Sequence, residues 1–117
     1  MEPDPSTVTS LCGFEATIAP YERLPGETPA RTETLMSELV AVTDRYIEVA
    51  PPGVKPDLEA IRVEFVRIRD ILAANGWNPR SPAFSDFVTQ VEATASIPDS
   101  LGARFARVAS AEAASCR

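Results

Sequence analysis

The chain has 117 residues, of which 44% are apolar and 24% charged, with a net charge of −6. That length fits one domain, and the apolar share excludes a disordered chain. The acidic balance excludes nucleic acid and anionic membrane surfaces as partners, since both require a basic face.

Five helices are predicted in chain order. The first is read from about Thr7 to Leu24, because Leu11, Phe14, Ile18 and Tyr21 recur at spacings of three and four and so share one face. Pro20 ends or kinks it, and Pro25-Gly26 closes the segment. The second starts at Thr28-Pro29, an N-cap residue followed by a proline at the favoured first position. Leu35, Leu39, Val42, Tyr46 and Val49 form one stripe of this helix, and Met36, Val40 and Ile47 form another beside it. So wide an apolar face implies packing against more than one neighbour. Ala50-Pro51-Pro52-Gly53 stops it.

The third helix opens at Pro56 or Asp57, with Asp57 and Glu59 placed to favour the N-terminal dipole. Leu58, Ile61, Phe65, Ile68 and Leu72 give the most regular helical period in the chain, and Asn75-Gly76 ends it. A loop from Gly76 to Ser81 follows. The fourth helix is short: Ser81 caps it, Pro82 opens it, and Phe84, Phe87, Val88 and Val91 supply its apolar face. The fifth is predicted from near Pro98 to Ser115 or Cys116, with Leu101, Phe105 and Val108 inward and an Ala-rich end. Leu39, Phe65, Ile68 and Phe105 are the positions expected to be almost fully buried. No strand pattern of useful length is present.

Chemistry is sparse. There is no histidine and Lys55 is the only lysine, which removes the usual general base, the Ser/His and Cys/His pairs and the commonest transition-metal ligand. No catalytic residue, metal site or cofactor is assigned. Glu38, Asp44 and Glu48 lack the oxygen-rich cage that a hard cation needs, and the charges of the third helix (Glu59, Arg62, Glu64, Arg67, Arg69, Asp70) read as a solvated, salt-bridged face. Tyr21 and Tyr46 lie on apolar stripes and read as core residues with the hydroxyl at the rim. The residues singled out for a partner or ligand are Trp77, Asn78 and Arg80. Trp and Arg dominate binding hot spots, and Pro79 and Pro82 stiffen the loop that carries them. Trp77 is expected to be partly buried.

Two cysteines sit at opposite ends, Cys12 and Cys116. Composition leaves two readings open: unrelated thiols, or a bridge from the first helix to the last. Leu11-Cys12, the helix-breaking run Ala50-Pro51-Pro52-Gly53-Val54 followed by Asp57-Leu58, and the closing Ser115-Cys116 carry a resemblance. Together they resemble a loose group of small extracytoplasmic helical proteins of actinobacteria, with one cysteine opening the first helix and another ending the last. The motifs span most of the chain, although Ser115 stands where the group often has Asn. The resemblance implies a Cys12–Cys116 disulfide and an exported or lipid-anchored protein. It implies no activity.

Such a bridge constrains topology. A helix of 18 residues is about 27 Å long, and bridged Cα atoms lie within about 7 Å. A simple five-helix up-down bundle would place the two cysteines at opposite ends. The expected fold is therefore all-α, with four main helices in a bundle and the short fourth helix crossing it. Residues 1–6 are expected to be a flexible remnant of a tether and 7–117 one helical domain. Met1 to Ser10 lacks the features of a signal peptide, so either the protein is cytosolic or an export signal has been removed, and the resemblance implies the second. No apolar run approaches the ~20 residues of a membrane-spanning helix. The functional expectation is an extracytoplasmic interaction or structural module without catalysis, its partner an unknown protein. The alternative is a carrier with a pocket for a small apolar ligand between helices, opening beside Trp77.

Overall fold

A computed structural model describes residues 10–19, 26–94 and 97–116. The expected remnant at 1–6, Tyr21 and the proline kink at Pro20 lie outside the described residues. Among the described residues five helices follow one another: α1 (Phe14–Ile18), α2 (Pro29–Val49), α3 (Lys55–Ala74), α4 (Pro82–Ala93) and α5 (Leu101–Ser115). Among the described residues there is no strand.

The helix boundaries follow local chemistry. Thr28 accepts a hydrogen bond from the Arg31 N–H at 3.2 Å and Pro29 opens α2. Ser81 accepts from the Phe84 N–H ahead of α4, and Ser100 from the Ala103 N–H ahead of α5. Each satisfies one of the donors that a helix start leaves unpaired. At the end of α3, Gly76 adopts φ 68°, and the Trp77 N–H reaches back to the Leu72 carbonyl at 2.7 Å. This is a Schellman closure, and glycine supplies its left-handed residue without steric cost.

α3 is the centre of the molecule. It packs against α2, α4 and α5, while α1 packs on α5. Leu58, Ile61 and Leu72 of α3 and Met36 and Val42 of α2 have no solvent exposure. The two predicted stripes of α2 are thereby explained: one continuous wide face is buried, apart from the half-buried Ile47 and Val49. Asp44 of α2 pairs with Arg62 of α3 across the outside of that contact.

The largest departure from the sequence expectation is α1. It does not run on from Thr7: residues 10–13 form bends and turns, and the helix begins at Phe14. The cause is Gly13, whose φ of 89° is incompatible with helix continuation. A second departure concerns the core. Leu39 and Phe65 are buried, but Ile68 and Phe105 are only half-buried. Their periodicity is correct, and what they lack is a covering neighbour. Leu101 is likewise half-buried, leaving Val108 as the buried anchor of α5.

Cys12 and Cys116 are joined by a disulfide with Cα atoms 5.3 Å apart. The bridge fastens the turn before α1 to the residue after α5, and both cysteines are solvent-exposed.

Candidate functional site

The residues left half-buried in α3 and α5 converge on a cleft of about 780 Å³. Each helix contributes to it. α3 supplies Phe65 and Ile68, and α5 supplies Leu101 and Phe105. Met36 and Leu39 of α2 form the floor, with Ile18 and Ala19 at the α1 edge. α4 supplies Phe84, Phe87, Val88 and Val91. The reason is the shortness of α4. Phe84 and Phe87, in its first two turns, are buried, whereas Val88 remains 38% exposed and Val91 half-exposed. Among the described residues, the only ionisable ones lining the cleft are Glu15 and Glu92. Its volume lies within the range of small-molecule sites, about 300–1,000 Å³, and its apolar lining is typical of them.

A second, more polar groove of about 480 Å³ lies along α3, α4 and the start of α5, lined by Glu64, Arg67, Asp99 and Arg104 among others. Its charges are engaged. Arg67 pairs with Glu64 and stands over the Phe87 ring, 5.7 Å from its centre. Arg104 donates to Asp57 at 3.2 Å and to the Asp99 carbonyl at 3.0 Å.

Behind that groove sits an ion-pair cluster. Asp57, in the first turn of α3, is only 6% exposed. The Arg107 guanidinium grips its carboxylate as a fork, Nε to Oδ2 at 3.1 Å and Nη2 to Oδ1 at 2.8 Å, and Arg107 also binds Asp99 at 2.7 Å. The hydrogen bond from Arg107 holds the Asp57 carboxyl below its ordinary range, with the charges of Arg107 and Arg104 adding to it and burial opposing. Asp57, Asp99 and Glu64 balance the arginines, so the cluster works as a clamp between α3 and α5 and offers no free cation to a ligand.

The α1 edge has its own fastening. Gly13 has no side chain with which to cap α1. Glu112 of α5 does so from a distance, accepting from the Gly13 N–H at 3.2 Å and the Glu15 N–H at 2.9 Å. A carboxylate at a helix N-terminus is favoured by hydrogen bonding and by the dipole. Tyr46 completes the edge: its hydroxyl bonds Thr17 at 2.9 Å, and its ring meets Phe14 edge-on at 5.1 Å.

Trp77, Asn78 and Arg80 stand elsewhere. Trp77 is half-buried against the core, as expected, but it does not line the cleft. The Asn78 side chain accepts from the Arg80 N–H at 3.0 Å, and both residues are exposed. The three are neighbours in one turn. The apolar cleft lies along α4, where the side chains run out of partners, and not beside Trp77. Asp44 and Glu48 are drawn into pairs with Arg62 and Arg45. Among the described residues no three histidine, cysteine or acidic side chains converge as a metal would require.

Sequence reasoning missed Glu112 and the Asp57–Arg104–Arg107 cluster. Arg104 and Arg107 stand three apart on α5 beside the apolar Phe105 and Val108, and that was the one available signal. Compared with protein-family models, with curated proteins and with solved structures, the chain matches none.

Proposed function

We propose that this protein is a non-enzymatic, disulfide-stapled helical module that carries a small apolar ligand in the cleft along α4. One observation carries the reading: five helices leave an unfilled apolar cleft of about 780 Å³ whose lining includes Phe65, Phe87 and Phe105. A fold that closed on itself would have covered Ile68, Val88 and Phe105, which remain partly exposed. The exposed cysteines joined as a disulfide support work in an oxidising, extracytoplasmic compartment. That placement agrees with the resemblance to secreted or lipid-anchored actinobacterial proteins, which we retain as part of the proposal. No helix among the described residues is long and apolar enough to cross a membrane.

The test is titration with a neutral apolar dye such as N-phenyl-1-naphthylamine, on the wild type and on Val91→Trp. The variant places bulk in the cleft from a half-exposed position. Saturable binding at one site per chain that is lost in the variant, with helical circular dichroism unchanged, is the expected result. Absence of saturable binding, or equal binding by the variant, overturns the reading. A second reading has a specific observation in its favour: Val63, Val88 and Ile97 are exposed around α4 and its exit, as an interaction module docking a protein partner there would require.

A further inference from the structure

We propose that the ligand of the α4 cleft is a cationic single-chain amphiphile, its alkyl tail along Phe65 and Phe105 and its ammonium head at Glu15 and Glu92. This rests on the ligand-carrying reading above and adds the chemistry of the head group.

The argument is one of charge complementarity. Among the described residues the cleft is apolar except for two exposed carboxylates, Glu15 and Glu92, and no cationic side chain lines it. Among the described residues neither carboxylate takes part in an ion pair. The third acid nearby, Glu112, is already committed to the α1 backbone. Among the described residues, Arg104 and Arg107 are held by Asp57 and Asp99, and Arg67 by Glu64. A fatty-acid carboxylate entering this cleft would therefore meet like charge and, among the described residues, no donor cation, on a chain whose net charge is −6. An alkylammonium meets the reverse. Its tail gains from burial along the aromatic lining, with about a fourfold gain in affinity for each methylene that enters.

The experiment uses three ten-carbon probes that share a tail: decyltrimethylammonium, decanol and decanoate. All are held below the concentrations at which they aggregate, and each displaces the naphthylamine dye from the intact, oxidised protein. The expected order is cation, then alcohol, then anion, with cation and anion separated by about tenfold or more at low salt. The gap closes near 1 M salt, where the screening length falls to about 3 Å, and it closes in the Glu15→Gln/Glu92→Gln double variant. The salt series on the wild type decides the matter should the double variant fold poorly. Equal affinities for the three probes overturn the head-group assignment while leaving the cleft as an apolar site. A cation preference that survives in a folded double variant overturns the roles of Glu15 and Glu92. Dye that none of the probes displaces overturns both this inference and the carrier reading.

Discussion

α1 and α4 are the two short helices of the fold, and they are held in opposite ways. α1 has five residues, too few to be stable alone. It is secured at both of its faces: Leu11 and Phe14 are each 1% exposed, Glu112 caps its first turn, and the disulfide closes one residue before Gly13. α4 is more than twice as long, with 12 residues. It is capped by its own Ser81 and held by two buried phenylalanines, and its less buried Val88 and Val91 line the cleft. The contrast shows that helix length does not decide which part of a small domain is rigid. What decides it is how many independent constraints meet on the element. The cleft thus has a fixed edge at α1 and a lightly fastened wall at α4.

The largest effect expected from this contrast belongs to the disulfide. The bridge spans a sequence separation of 104, and closing a loop of that size is worth about 4–5 kcal/mol in the chain-entropy model. Reduction, or Cys116→Ser, should lower unfolding free energy by about that amount, as read by urea titration. Hydrogen exchange should show the α1 amides losing protection first. Loss of less than about 1 kcal/mol, or protection lost from α4 before α1, would break the account of α1 as the secured edge.

An intermediate effect is expected from the clamp that ties α3 to α5 behind α4. Asp57→Asn should cost about 1.5–3 kcal/mol, the range for hydrogen bonds to charged groups. The pH dependence follows from the lowered Asp57 pKa. The stabilisation is fully present above the ordinary carboxylate range and is lost as pH falls through the folded-state value, below about pH 4. Wild-type stability should therefore fall on acidification in that window, and the Asn variant should show a shallower fall. Parallel curves would mean that the clamp does not contribute.

The smallest effect is expected on the open wall. Val88→Ser should change stability by less than about 0.5 kcal/mol, as for a surface position, while weakening dye binding in the cleft. A large loss of stability would show α4 to be as tightly held as α1.

The sequence was most legible where structure is local. Thr28-Pro29, Ser81-Pro82 and Asn75-Gly76 each fix a helix end through bonds within a few residues, and the stripes of α2 and α3 follow from spacing alone. The start of α1 was illegible because Leu11, Phe14 and Ile18 keep helical spacing across Gly13; they do share the α1 side of the core, but a turn brings Leu11 there. Glu112 and the Asp57 clamp escaped notice because their partners lie 47 to 99 residues away. Ile68 and Phe105 were assigned to the closed core because periodicity reports which face a side chain occupies and says nothing about whether another helix covers it. The candidate site was illegible for that same reason: a cleft is a shortage of neighbours, and one chain's pattern does not record it.

The Cys12–Cys116 bridge also has a mechanical meaning. Its two ends lie side by side, 5.3 Å apart at Cα, and the five helices hang between them as a side loop. Tension that enters the chain before Cys12 and leaves after Cys116 passes through a single covalent linkage. In a single-molecule pulling trace anchored outside the cysteines, no helical unfolding step should appear until a reductant is added. Held at its ends, the protein transmits load as a staple does, and the helices together with their cleft stay slack.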